Sequence, residues 1–100
     1  MKRVVPTLFP NDPLLDSPVT LGAAIHSART QAGIRLEDAA MTIGVSLQTL
    51  VDIEAGKPGV SIGKILQVAN GLGVSLFVMP QRQREIARRR LTDLTSDQPS

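Results

Sequence analysis

Three consecutive residues, Gly44-Val45-Ser46, separate two short amphipathic segments and restrict what this 100-residue chain can fold into. Apolar residues recur at helical spacing before them, and Leu50 and Ile53 continue that spacing after them. Glycine permits a sharp turn because it accepts backbone conformations that other residues avoid, and serine is a favoured helix cap. The pattern therefore predicts two short helices, over 36–43 and 47–55, that cross at a tight turn.

Further helical repeats flank this pair. Apolar residues recur every three or four positions after Thr20, which we expect to cap the first helix, and again after Ser61, which caps a fourth helix ending near Gly71. Only two residues of the chain are aromatic, so alanine and aliphatic side chains must build the core. The sequence thus predicts an all-α bundle of four main helices within residues 20–80.

Residues 74–79, Val-Ser-Leu-Phe-Val-Met, form a short apolar run that Pro80 closes. Its β-branched and aromatic side chains favour a strand. One strand cannot pair its backbone groups inside a small helical domain, and a second copy of the chain is the simplest partner. We therefore expect a dimerising strand, with burial in the same monomer as the alternative. The side chains expected at the dimer contact are Val74, Leu76, Phe77, Val78 and Met79.

The two ends of the chain differ from its middle. Residues 1–19 contain four prolines and little periodicity, so we expect an extended arm. Charges balance over 1–80, and the formal net charge of +2 therefore belongs to an arginine-rich tail at 81–100. A thinly amphipathic helix is predicted over 81–94. Its arginines suit a solvated face as well as a contact with phosphate or a protein partner.

Composition also argues against several classes of protein. The chain has no cysteine and a single histidine, so we expect no disulfide, metal or cofactor. His26 is expected to face solvent without a partner, and no clustered carboxylates accompany it, which argues against an enzyme. The amino terminus lacks the apolar run of a signal peptide, and no run approaches the roughly 20 apolar residues of a membrane span. We expect a cytoplasmic protein with no membrane contact.

Three segments, AGIRLEDAA at 32–40, IGVSLQTL at 43–50 and IEAGK at 53–57, together resemble the XRE (lambda-repressor-like) helix-turn-helix family. The segment VANGLGV at 68–74 extends the resemblance over about residues 20–79. The resemblance implies a transcriptional repressor that binds double-stranded operator DNA as a homodimer. The apolar segment after Val74 more specifically resembles HipB-type antitoxins, whose partner is a HipA-like kinase toxin.

On this resemblance we expect the antitoxin and autorepressor of a toxin–antitoxin operon. The alternative is an antitoxin that neutralises the kinase with little or no DNA binding of its own. The resemblance also implies an ion pair between Arg29 and Glu54 that ties the first helix to the third. It assigns DNA contacts to seven residues: Arg35, Ser46, Leu47, Gln48, Thr49, Asp52 and Lys57.

The chemistry of these seven residues is mixed. Gln48 and Thr49 can form hydrogen bonds with base edges, and Leu47 can touch a thymine methyl group. Arg35 and Lys57 can reach phosphates, whereas Asp52 would be repelled by them, although it can accept a hydrogen bond from cytosine. Because the charges of residues 20–80 cancel, we expect a weak recognition surface that the dimer or the arginine tail must assist.

Overall fold

The computed structural model describes residues 3–95 of the chain. Within this range the protein forms four consecutive helices, then a short 3-10 turn at Gln81–Gln83 and a fifth helix. The last five residues of the predicted tail and the first two of the predicted arm lie outside the described residues. The α-helices are α1 at Pro18–Gln31, α2 at Leu36–Ile43, α3 at Leu47–Glu54, α4 at Ile62–Gly71 and α5 at Arg84–Thr95.

One apolar core joins the first four helices, which confirms the predicted all-α bundle. Helix α3 packs against α1, α2 and α4, and α2 also contacts α4. Ile25 and Leu50 are fully buried, and burying a side chain of that size stabilises a fold by about 1.5–3 kcal/mol. The buried apolar side chains among the described residues are Leu21, Ile25, Ala39, Ala40, Val45, Leu50, Ile53, Val68 and Ala69.

The turn between α2 and α3 is built as the sequence predicts. Gly44 takes a left-handed conformation, with φ of 91°, and its N–H donates to the Ala40 carbonyl at 2.9 Å. Val45 is buried beneath the turn. Ser46 then caps α3, because its hydroxyl accepts the Thr49 N–H at 3.0 Å.

Helix α1 lies unusually close to the end of α3. A Cβ atom added to Gly22 would lie 2.4 Å from the Ile53 carbonyl oxygen, so no side chain fits at this crossing. Glycine therefore allows direct backbone contact between the two helices. The carboxyl end of α3 is held against α1, and the opposite end of α3 points away from it.

The predicted start of the first helix is wrong. Helix α1 begins at Pro18, and its cap is Ser17, whose hydroxyl accepts the Thr20 N–H at 3.2 Å. Proline suits the first position of a helix because the N–H that it lacks would have no helical partner there. Thr20 lies inside the helix and donates instead to the Asp16 carboxylate at 2.7 Å.

The predicted strand at 74–79 is not formed in the single chain, and no strand occurs anywhere in residues 3–95. A β-strand needs a neighbouring segment whose backbone N–H and C=O groups are free to pair with it, and the backbone groups of the helices are already paired within each helix. Val74 and Leu76 pack partly against the core, which agrees with the alternative of burial in the same monomer. Met79 is exposed, Phe77 is 69% exposed and Val78 fully so, and their role in a dimer stays a prediction.

Helix α5 agrees with the predicted helix over 81–94 and connects to the rest of the chain through the arm. The Arg88 guanidinium lies 3.2 Å from the Asp12 carboxylate and also pairs with Glu85. The Leu14 N–H donates to Asp12 at 3.0 Å, and together with Arg88 it lowers the pKa of that carboxyl. None of the helices in the described chain has both the length and the apolar character needed to cross a membrane.

Candidate nucleic-acid interface

The leading end of α3 faces solvent. Ser46, Leu47 and Gln48 are all exposed, while the next helical turn buries Leu50 and Ile53. The Ser46 hydroxyl accepts the Thr49 N–H and itself donates to the Thr49 hydroxyl at 2.8 Å. The Ser46 side chain alone therefore caps α3, and the first turn of α3 is ordered although no other part of the described chain covers it.

Three of the residues predicted to contact DNA form one network along the exposed face of α3. The Gln48 amide donates to Asp52 at 2.8 Å, and the Lys57 ammonium lies 3.3 Å from the same carboxylate oxygen. The hydrogen bond from Gln48, followed by Lys57, lowers the pKa of Asp52. Asp52 therefore stays ionised and orients Gln48. It also pairs with Lys57, the side chain that is expected to contact a phosphate.

Arg35 lies at the start of α2 and is similarly engaged. Its guanidinium is 3.3 Å from the Asp38 carboxylate, and Glu37 adds a second acid to the same helical turn. Both side chains of the Arg35–Asp38 pair are about half exposed, and such pairs contribute only about 0–1 kcal/mol. A phosphate can displace Asp38 at little cost, so the pairing weakens this contact without preventing it.

A buried ion pair lies behind this surface and connects α1 to the end of α3. The Arg29 guanidinium contacts Glu54 twice, at 2.6 Å through Nε and at 2.9 Å through Nη2. Its Nη1 donates to the Ile34 carbonyl at 2.8 Å, which extends the link to the loop before α2. These contacts hold α3 in a fixed orientation on the domain.

The expectation that His26 has no partner is wrong. Its Nδ1 lies 2.8 Å from a carboxylate oxygen of Glu54, and the same oxygen accepts a hydrogen bond from Arg29 Nη2. The His26 side chain is half-buried. The three-residue spacing of His26 and Arg29 places both on one face of α1. That spacing was a usable signal, but the acid they share comes from a distant segment of the chain.

The amino-terminal arm is held by hydrogen bonds that no sequence pattern indicates. The buried Ser27 hydroxyl donates to the Leu8 carbonyl at 2.8 Å, and the buried Thr30 hydroxyl accepts the Thr7 N–H at 3.0 Å. The Gln31 amide donates to the Thr7 carbonyl at 2.9 Å. Three hydrogen bonds therefore fix the middle of the arm along the second half of α1.

A tight turn that presents a capped and uncovered second helix is the defining feature of helix-turn-helix domains. The chain belongs to the helix-turn-helix family, whose model matches residues 25–78. It is similar to an uncharacterised HTH-type transcriptional regulator, y4mF, from Sinorhizobium fredii. The two are 37% identical over 70 residues, which covers 70% of this chain and 92% of the relative.

Solved structures show the same fold. A chain of the HipB–O4 20mer complex superposes with a TM-score of 0.62 at 20% identity, covering 68% of this chain and 96% of that one. A chain of the HipA–HipB–O2–O3 complex gives the same values. The resemblance to XRE-type domains of the HipB kind is thereby confirmed at the level of fold.

Proposed function

We propose that the protein is a sequence-specific, DNA-binding transcriptional repressor that acts as a homodimer. The observation that carries this proposal is the exposed leading end of α3, capped by Ser46 and followed by exposed Gln48. In helix-turn-helix proteins this end of the second helix enters the major groove. Membership of the family and the likeness to a relative named as a transcriptional regulator support the same conclusion.

The proposed DNA contacts use side chains on the exposed face of α3 and on either side of the two helices. Gln48 and Thr49 would read base edges, with Leu47 beside them for a thymine methyl group. Arg35 and Lys57 would exchange their present carboxylate partners for phosphates. A dimer would place two such helices roughly 34 Å apart, one turn of DNA, so the operator should be nearly palindromic. We propose the protein's own promoter as the place to seek it.

A paired substitution on α3 tests the surface. Gln48→Ala with Thr49→Ala removes the base-reading groups but keeps the cap, because the Thr49 main-chain N–H still bonds Ser46. A good bidentate base contact is worth about 1–3 kcal/mol, so gel shifts should show a loss of roughly tenfold or more on operator DNA. The control is Asn70→Ala, an exposed change on α4. Unchanged operator binding by the paired variant would refute the assigned surface.

The dimer is proposed to form through residues 74–79. Phe77 and Val78 are apolar yet exposed in the single chain, and a second copy would cover them and pair their backbone. Sedimentation of the full chain should give a dimer, and Phe77→Glu should shift it to the monomer. Met41→Glu, at an equally exposed site on α2, should leave the dimer intact. A wild-type monomer at all concentrations would contradict this part of the proposal.

A second function, as an antitoxin that binds a HipA-like kinase toxin, is favoured by the surface of α5. Arg89 and Arg90 of α5, with Arg82 of the preceding 3-10 turn, are exposed and make no ion pair within residues 3–95. The exposed Ile86 and Leu94 lie among them, which suits a protein partner. One neighbour in fold comes from a complex of HipA with HipB.

The antitoxin proposal is tested by co-expression with the product of an adjacent kinase-like reading frame. The two proteins should co-purify, and deletion of 81–100 should abolish the complex while sparing the dimer. Full capture of the kinase by the truncated chain would exclude the tail as the contact. The absence of any complex with the intact chain would exclude the antitoxin function itself.

A further inference from the structure

We propose that the amino-terminal arm adds a DNA phosphate contact through Arg3, beside the surface formed by α2 and α3. The inference rests on the proposed DNA-binding function and extends its footprint. The family match begins at residue 25, so the arm lies outside the part of the chain that the helix-turn-helix family shares. The observation that carries the inference is that Arg3 and Arg35 line one groove.

The arm has a fixed direction. Thr7 exchanges two hydrogen bonds with α1, through its N–H to Thr30 and through its carbonyl from Gln31. The Thr30 and Ser27 hydroxyls are buried, and besides their hydrogen bonds to carbonyls within α1 both contact the arm backbone. Pro6 restricts the backbone just before this anchor. Residues 3–6 therefore run along the second half of α1 towards the start of α2.

The arm forms one wall of a groove of about 660 Å³. The residues of its lining with ionisable side chains are Arg3, His26, Arg29, Arg35 and Glu37. Arg29 is committed to Glu54, and Arg35 pairs with Asp38. Arg3 is exposed and has no ion pair within residues 3–95, so it alone of the three guanidinium groups meets a new anion without first giving up a carboxylate.

The charges around the start of α2 explain why a phosphate contact there needs the Arg3 guanidinium. Arg35 faces two acids in the first turn, Glu37 and Asp38, so the turn by itself would repel a phosphate. Arg3 offsets one of these acids. A guanidinium that can contact phosphate bidentately is well suited to that place.

The arginines of α5 are too far along the molecule to take this role. Helix α5 joins the arm at Asp12, and Leu91 lines a pocket with Thr20 and Ala24 in the first half of α1. Thr30 lies ten residues beyond Thr20, about 15 Å along the helix at 1.5 Å per residue. The arm therefore runs along α1, with Arg3 near the start of α2 and Asp12 beside α5.

The test compares two substitutions that remove the same charge. Arg3→Gln should flatten the plot of log binding constant against log salt by about one unit, because one phosphate contact contributes about 0.9 to that slope. The loss should be the same factor on operator and on unrelated duplex DNA, because a phosphate carries no base information. Lys64→Gln, an exposed lysine of α4 that lies outside this groove, should leave the slope unchanged. Gln31→Ala, which releases the Thr7 carbonyl, should give part of the Arg3→Gln effect.

The outcomes separate this inference from the function on which it rests. Equal flattening by Arg3→Gln and Lys64→Gln would show an effect of net charge and overturn the arm contact alone. An unchanged slope in Arg3→Gln, with operator binding intact, would do the same. If the wild-type protein bound no duplex at low salt, the proposed function itself would fall, and the arm contact with it.

Discussion

Removing the buried carboxylate of Glu54 tests the claim that one ion pair orients α3. The side chains of Arg29 and Glu54 are 7% and 8% exposed, so the pair is largely withdrawn from water. In Glu54→Ala the guanidinium loses both carboxylate contacts and keeps its bond to the Ile34 carbonyl, with the His26 ring 3.4 Å from its Nη2. Leaving one partner of a buried pair uncompensated costs about 3–5 kcal/mol, a large share of the roughly 5–15 kcal/mol stability of a domain.

The measurement is thermal and urea unfolding followed by circular dichroism at neutral pH. A loss of about 3 kcal/mol should lower Tm by at least about 12 °C in a domain of this size. Asp38→Ala is the matched control, since it breaks an ion pair whose side chains are 47% and 49% exposed and should cost less than about 1 kcal/mol. The double change Arg29→Met with Glu54→Leu should cost less than Glu54→Ala, because it leaves no unpaired charge. Equal losses in Glu54→Ala and Asp38→Ala would refute the reasoning.

Three further outcomes follow from the same contacts. Asp52→Asn should tighten binding to any duplex, because Lys57 then gives up no carboxylate when it meets a phosphate; equal or weaker binding in gel shifts at graded salt would contradict this. The pKa of Asp12 is lowered, so its contacts are present above the usual carboxyl pKa and are lost as the pH falls through the folded value. Carbon NMR of Asp12 should give a titration midpoint below that of an unperturbed aspartate, and a midpoint at or above it would contradict the contact. Gly22→Ala should destabilise the fold by about 1–3 kcal/mol in urea, whereas Gly63→Ala, in open space on α4, should not.

The parts of the fold that depend on local chemistry could be read from the sequence. Glycine at the turn and serine at the caps act on their own neighbours, so Gly44 and Ser46 predicted the crossing of α2 and α3 correctly. The start of α1 was misplaced because Ser17 and Thr20 are both good caps three residues apart. The proline at the first helical position favours the earlier one.

The features that sequence reasoning missed depend on residues far apart in the chain. Ser27 and Thr30 look like ordinary helical residues until the arm lies against them, 19 and 23 positions away. His26 acquires its partner from Glu54, 28 residues later. The Gln48–Asp52 contact differs, because its four-residue spacing lies on one helical face and was visible in the sequence.

The charge balance of the candidate interface constrains how an operator can be bound. Arg35 and Lys57 each begin with a carboxylate partner, so a phosphate contact replaces one exposed ion pair with another and gains little. One copy of the chain should therefore hold a half-site weakly, even with the assistance of Arg3. In the proposed dimer, two linked copies would raise the effective concentration of the second site to about the millimolar range, and avidity would then exceed either single affinity by about 10²–10⁴. Operator binding should thus depend on the exposed Phe77 and Val78 segment as strongly as on α3, although that segment touches no base in the proposed complex.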